Sequence, residues 1–102
     1  MVCEKWIFRF LVKGEMDRAE FIKWLKRNFP RSKLLRIILE KLELLYKDPF
    51  KYTREKLGKD KYGNPMFSIE VTGDIRILYS VDSKNCIVFI WGIGSHKKVY
   101  GS

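Results

Sequence analysis

MFSIEVTGDIRILYSVDSKNCIVFIWGIG, residues 66–94, is the stretch that decides the fold. It contains three runs of mostly apolar residues, 66–72, 74–82 and 86–94, separated by residues typical of turns. β-Branched and aromatic residues dominate these runs, which predicts three β-strands. Gly73-Asp74 predicts a two-residue turn between the first two strands, and the residues from Asp82 to Asn85 predict the next turn. Phe89 and Trp91, in the last strand, are expected in the core.

The middle strand carries an arginine, Arg76, between two isoleucines. Arginine stays ionised under essentially all conditions, so it must be paired, solvated or available to bind an anion. Alternation puts Ile77 and Tyr79 on the face expected to pack under helices, and Arg76 on the opposite face. With a two-residue turn at Gly73-Asp74, apolar side chains would surround Arg76 on that opposite face. Its members would be Phe67, Ile69, Val71 and Leu78.

An apolar face that no other segment covers predicts a partner or a binding groove. Arg76 is therefore predicted to be an anion anchor on this open face. Two alternatives stand beside that prediction. Arg76 would extend over Leu78 to solvent, or it would form a structural ion pair with Asp74, Glu70 or Asp82.

The N-terminal half supplies one more strand and two helices. WIFRFLV, residues 6–12, alternates with period two and predicts a strand. Asp17 followed by Glu20 is a capping-box pattern that begins the first helix, and Pro30 ends it. Apolar residues with a 3.6-residue period predict a second helix from about Ser32 to Lys47.

These elements predict a single α+β domain over residues 1–102. The order is β-α-α-β-β-β, with a helical hairpin on one face of a four-stranded, antiparallel-rich sheet. Residues 48–65, DPFKYTREKLGKDKYGNP, are expected to form a polar connection rich in lysine.

Composition favours a polyanionic partner. The formal net charge is +9, from 21 lysines and arginines against 12 acidic residues, and a basic domain of this size suggests nucleic acid. No run of 18 apolar residues occurs, so neither a membrane span nor a membrane partner is expected. Cys3 and Cys86 are expected to be buried thiols of a cytoplasmic protein, with no metal site. The absence of glutamine, with abundant lysine, glutamate and isoleucine, favours a thermophilic source.

Residues 49–101 resemble the C-terminal half of RelE/ParE-superfamily toxins of type II toxin–antitoxin systems. GDIRILY (73–79) and HKKVY (96–100) carry the resemblance, together with KLG (56–58) before them. The N-terminal half is similar only in its order of elements. The resemblance implies a RelE/ParE-like fold, a cognate antitoxin as partner, and no cofactor. In the RelE branch it implies cleavage of mRNA on the ribosome.

The resemblance also implies roles for individual residues. Arg76 matches the arginine that stabilises charge on the phosphate, His96 stands where an acid or base is placed, and Tyr100 matches the C-terminal tyrosine that stacks on a base or relays a proton. The lysines expected to hold RNA phosphates are Lys97, Lys98, Lys56, Lys59 and Lys61.

One departure from the RelE pattern leaves the branch open. RelE toxins carry two lysines on the strand before the arginine strand, and counting back from Arg76 gives Phe67 and Ile69 there. Glu70 would serve as a base, as a carboxylate does in some related toxins, but the two-residue turn puts it on the wrong face. The alternatives are a ParE-like, non-catalytic gyrase inhibitor, a degenerate relative that only binds RNA, and an unrelated basic nucleic-acid-binding domain.

Overall fold

The computed structural model describes residues 3–53 and 55–95. Within these ranges the chain forms two helices and five strands, so the protein is α+β, as predicted. In chain order the elements are β1 (Ile7–Phe10), α1 (Arg18–Asn28), α2 (Ser32–Lys47), β2 (Glu55–Lys59), β3 (Pro65–Glu70), β4 (Ile75–Asp82) and β5 (Ile87–Ser95).

The strands form one mixed sheet in the order β1-β5-β4-β3-β2. β1 runs parallel to β5, and the other neighbours are antiparallel. The four-stranded layout predicted from the sequence is therefore wrong, because β2 lies within the segment expected to be a polar connection. Its sequence, EKLGK, is largely exposed. Pairing with β3, and not an apolar face of its own, holds this edge strand.

The two helices begin and end close to the predicted residues. The Asp17 side chain accepts a hydrogen bond from Glu20 N at 2.8 Å, and the Glu20 side chain accepts one from Asp17 N at 3.1 Å. This reciprocal capping box satisfies two backbone donors that would otherwise have no partner at the start of α1. In α2, the residues at helical spacing that become buried are Ile38, Leu42 and Leu45.

Both helices pack on one face of the sheet. Phe21, Leu25 and Ile38 are almost completely buried against the sheet residues Ile77 and Tyr79. Burial of each large apolar side chain stabilises the fold by about 1.5–3 kcal/mol. The opposite side of the sheet, which carries Arg76, Leu78 and Ser80 on β4, is called the distal face below.

The turn between β3 and β4 sets the side of the sheet on which each β3 residue lies. Val71 N and Thr72 N donate to Ile75 O at 2.8 and 3.2 Å, so the loop consists of residues 72–74. Thr72 Oγ1 accepts from Ile75 N at 3.2 Å within that loop. The predicted two-residue turn at Gly73-Asp74 is wrong by one residue. A shift of one residue moves every side chain of a strand to the other face.

That shift changes the composition of the distal face. Phe67 and Ile69 oppose Tyr79 and Ile77, so they lie toward the helices and not beside Arg76. Their places on the distal face are taken by Met66, Ser68 and Glu70. Phe89 is buried, but it lies on the distal face opposite Ser80, and Trp91 is half-buried. The expectation of a buried core residue is therefore confirmed for Phe89 and wrong for Trp91.

A disulfide joins Cys3 to Cys86, with the two Cα atoms 5.7 Å apart. The expectation of two free thiols is therefore wrong. Parallel pairing of β1 with β5 brings the segment before β1 against the turn before β5, as the hydrogen bond from Ile7 N to Cys86 O at 2.8 Å shows. Sequence spacing gave no signal for this pair, because the cysteines are 83 residues apart.

Neither helix in residues 3–53 and 55–95 has the length and apolar character needed to cross a membrane.

Candidate functional site

Arg76 and Glu70 face each other across neighbouring strands on the distal face. In antiparallel strands, hydrogen-bonded and non-hydrogen-bonded residue pairs alternate. The adjacent pair, Val71 and Ile75, is hydrogen-bonded. Glu70 and Arg76 are therefore a non-hydrogen-bonded pair, the kind in which opposite side chains approach most closely. The Cβ atoms of such pairs are about 4.5–5.5 Å apart. A carboxylate and a guanidinium therefore extend side by side from the sheet.

Arg76 is half-buried but has no ionic partner within the described part of the chain. No carboxylate there lies within 4.0 Å of its guanidinium nitrogens, so the structural ion pairs with Asp74, Glu70 or Asp82 do not form. Its Nε is shielded from solvent and makes no hydrogen bond. A buried N–H without an acceptor costs roughly 1–3 kcal/mol. The two terminal nitrogens of the guanidinium are not shielded in this way, and they are the donors that an anion can reach.

Strand β5 contributes no side chains next to the pair. Arg76 lies opposite Gly94, and Leu78 lies opposite Gly92. A phosphate approaching Arg76 therefore meets backbone on the β5 side and the Glu70 carboxylate on the β3 side.

The corrected register also changes the comparison with the lysines of RelE toxins. Phe67 and Ile69, found by counting back from Arg76, face the helices. Ser68 and Glu70 occupy the distal face of β3 instead. Neither is a lysine, but Glu70 is a carboxylate next to the arginine. A turn one residue shorter would have put Glu70 on the opposite face from Arg76, which is why the sequence alone disfavours Glu70 as the base.

A second part of the distal face is built by the β2–β3 turn around Asp60. The Asp60 carboxylate accepts hydrogen bonds from Ser80 Oγ at 2.6 Å and from the backbone N–H groups of Tyr62 and Asn64 at 2.8 and 2.9 Å. Trp91 Nε1 in turn donates to Ser80 Oγ at 2.8 Å. Burial alone would raise the pKa of Asp60, but these hydrogen bonds lower it below its ordinary value. The network fixes the turn over β4 and β5.

The predicted RNA-binding lysines that lie within the described residues do not converge on Arg76. Lys61 lies in the Asp60 turn, with Nζ 5.2 Å from the Tyr62 ring and 5.8 Å from the Trp91 ring. Lys56 opposes Phe67 and therefore extends toward the helix side of the sheet, while Lys59 opposes Pro65. The four remaining predicted residues lie outside the described residues. They are His96, Lys97, Lys98 and Tyr100.

Two lysines that the sequence argument missed lie near Glu70. Lys41 and Lys51 line a cavity of about 340 Å³ that Glu70 borders at the end of β3. They come from α2 and from the loop after it, so only the fold brings them to this strand end. Because α2 packs on the face opposite the one that carries the Glu70–Arg76 pair, Lys41 lies on the helix side of the sheet.

A groove of about 970 Å³ lies elsewhere, between β1 and the two helices. Aromatic and aliphatic side chains line most of it, and none of the described site residues borders it. Of the two arginines that line it, Arg9 is bound by Glu15 and Arg18 is exposed, whereas Arg76 is half-buried. The Glu70–Arg76 pair remains the better candidate for chemistry.

Sequence comparisons add no assignment, since no protein-family model and no curated protein matches the chain. The candidate site therefore rests on its own geometry. A carboxylate can take a proton, and an adjacent arginine can neutralise charge developing on a phosphate or carboxylate.

Proposed function

We propose that this protein is a RelE/ParE-type toxin whose distal face cleaves mRNA on translating ribosomes without a metal or cofactor. The observation that carries the proposal is the Glu70–Arg76 pair, in which Arg76 Nε has no hydrogen-bond acceptor among the described residues. The net charge of +9 supports a nucleic-acid substrate. The resemblance of GDIRILY and HKKVY to these toxins supports RNA in particular.

The proposed reaction is attack of a ribose 2′-OH on the adjacent phosphorus. Glu70 takes the proton of the 2′-OH as the new bond between the 2′ oxygen and phosphorus forms. Arg76 donates hydrogen bonds to the non-bridging oxygens as their charge increases, and its planar fork suits two oxygens at once. The bond to the 5′ oxygen breaks, and that oxygen receives a proton from His96. The products are a 2′,3′-cyclic phosphate and a 5′-OH.

The remaining parts of the proposal follow the resemblance. Tyr100 stacks on a base or relays a proton, and Lys97, Lys98 and Lys61 bind backbone phosphates. A cognate antitoxin covers the distal face and neutralises its charge. The proposed location is the cytoplasm, where ribosomes are. A persistent Cys3–Cys86 disulfide there fits a thermophilic source, since intracellular disulfides are common in hyperthermophiles.

Primer-extension mapping of a defined mRNA on translating ribosomes tests the proposal. Wild-type protein should create new 5′ ends, and both Arg76→Ala and Glu70→Gln should abolish them. Arg36→Ala and Glu43→Gln are matched controls, because both side chains are exposed on α2. They should cleave like the wild type.

Absence of cleavage by folded wild-type protein would contradict the proposal. A supercoiling assay with DNA gyrase then decides the next step. Inhibition that survives Glu70→Gln would indicate the ParE-like, non-catalytic function. If neither activity appears, binding of an uncleaved RNA would identify the degenerate RNA-binding relative.

A further inference from the structure

The β2–β3 turn carries an exposed tyrosine over two aromatic residues of β5. The ring centroid of Tyr62 lies 5.6 Å from that of Phe89 and 6.1 Å from that of Trp91. Phe89 and Trp91 stack on each other at 6.0 Å. These three residues are called the aromatic platform below. Phe89 is buried, whereas 59% of Tyr62 is exposed to solvent.

Cations accompany the platform. Lys61 Nζ lies over both Tyr62 and Trp91, and the Arg9 guanidinium lies 5.6 Å from the centre of the Phe89 ring. Arg9 is already neutralised by Glu15. Lys61 has no ion-pair partner within residues 3–53 and 55–95, so its charge is available to an anion next to the exposed tyrosine ring.

The platform is preorganised. Asp60 binds Ser80 and the backbone of the turn, and Ser80 binds the indole N–H of Trp91. These hydrogen bonds fix the turn that carries Tyr62 and the β5 residue beneath it. An aromatic ring held in this way loses little conformational entropy when a flat ligand stacks on it.

We propose that the aromatic platform is a stacking subsite for a base of single-stranded RNA, with Lys61 bound to a neighbouring phosphate. Stacking on aromatic side chains combined with basic residues is the usual means of binding single strands. The inference rests on the proposed function, because RNA is the strand expected to cross this face. Ser80, beneath the turn, lies four residues along β4 from Arg76, which corresponds to about 13 Å. A strand bound at Arg76 therefore reaches the platform within a few nucleotides of the scissile phosphate.

Binding of an uncleavable oligonucleotide tests this subsite apart from catalysis. The probe is a fluorescein-labelled, single-stranded 10-mer of 2′-O-methyl RNA, which lacks the free 2′-OH that cleavage requires. Fluorescence anisotropy gives its Kd for the wild type, Tyr62→Ala and Tyr62→Phe. The matched control is Tyr46→Ala, since Tyr46 is a similarly accessible tyrosine on α2, with 49% exposed. Circular dichroism verifies that each variant is folded.

Tyr62→Ala should weaken binding about tenfold, because stacking of one base contributes roughly 1–3 kcal/mol. Tyr62→Phe should restore most of the affinity, and Tyr46→Ala should stay within about twofold of the wild type. The slope of log Kd against log salt should not change in Tyr62→Ala. In Lys61→Ala it should fall by about 0.7, the value for one phosphate contact on a single strand.

Equal affinity of Tyr62→Ala and the wild type would overturn the subsite, and so would failure of the wild type to bind the 10-mer at low salt. These results are independent of the cleavage assay. If the wild type cleaves mRNA on ribosomes but Tyr62→Ala binds the 10-mer with unchanged affinity, the subsite is refuted and the nuclease proposal stands. If Tyr62→Ala binds the 10-mer more weakly but the wild type cuts no mRNA, the subsite is supported and the nuclease proposal is refuted.

Discussion

Reduction of the Cys3–Cys86 disulfide should destabilise this protein severely. The bond joins residues 83 positions apart, and closing a loop of that length lowers the entropy of the unfolded chain by an amount worth about 4.5 kcal/mol at 25 °C. Domains of this size unfold with free energies on the order of 5–15 kcal/mol. Because 1 kcal/mol shifts the melting temperature by about 4–8 °C in a domain of about 100 residues, reduction should lower Tm by roughly 20 °C or more.

Thermal unfolding followed by circular dichroism measures this shift in oxidised and reduced wild-type protein. The control is the double variant Cys3→Ala with Cys86→Ala. It should melt near the temperature of the reduced wild type, and reductant should not change its melting curve. Thiol titration must first show two free thiols in the reduced sample. Identical melting curves for oxidised and fully reduced wild type would refute the reasoning.

Three further predictions concern pH and individual contacts. The pKa of Asp60 is lowered in the folded protein, so the ionised carboxylate stabilises the fold above the unfolded pKa of about 4, and this contribution is lost as pH falls through the folded pKa. The difference in free energy of unfolding between the wild type and Asp60→Asn, measured with urea, should therefore shrink below about pH 4. Tyr79→Phe should lower the free energy of unfolding by about 1–3 kcal/mol, because the Tyr79 hydroxyl contacts Thr53 Oγ1 and Pro49 O, both at 2.7 Å; a loss below about 0.5 kcal/mol would contradict this. Asp17→Ala should cost about 1 kcal/mol in the same assay, and Asp17→Asn should retain most of the stability.

Arg76 and Tyr79 are close together in the GDIRILY motif, but they have different roles in the structure. Arg76 and Tyr79 belong to one strand, but their side chains lie on opposite faces. Burial raises the pKa of Tyr79 to about 12, so this tyrosine is neutral at physiological pH. Its hydroxyl fixes the loop after α2 to the sheet and takes no part in the proposed site.

Local signals made the helices predictable. The Asp17–Glu20 capping box, Pro30 and the 3.6-residue period of α2 each act within a few residues, so the sequence contains the whole cause. The strands β3, β4 and β5 were predictable for the same reason, since alternation and turn residues are local. Alternation along β4 also predicted the face of the sheet on which Arg76 lies.

Features that depend on tertiary pairing were not predictable. β2 has no apolar alternation, and only its bonds to β3 define it as a strand. The β3–β4 register depends on one residue in the loop, where Thr72 Oγ1 binds Ile75 N. VTGDI is compatible with either loop length, and the shorter loop places Glu70 on the wrong face. A threonine before Gly-Asp was the available signal for the longer loop.

The distal face shows the same division between local and tertiary information. Arg76 was identified from its unusual place in an apolar strand. The aromatic platform was missed, because Tyr62 stands in a lysine-rich turn that the sequence argument treated as a connection. DKYGN, residues 60–64, contained a usable signal. An aspartate that binds its own turn is a common device in tight loops, and here it carries an aromatic residue at its tip.

Single-turnover cleavage of mRNA in defined ribosomal complexes tests the central claim most directly. Rates are measured for the wild type, Arg76→Ala, Glu70→Gln and the double variant. Removal of a general base or of a charge-stabilising donor should each slow cleavage at least about 100-fold. Because the two residues act on one transition state, the double variant should be little slower than the slower single variant. Cleavage by Glu70→Gln at the wild-type rate would contradict the account.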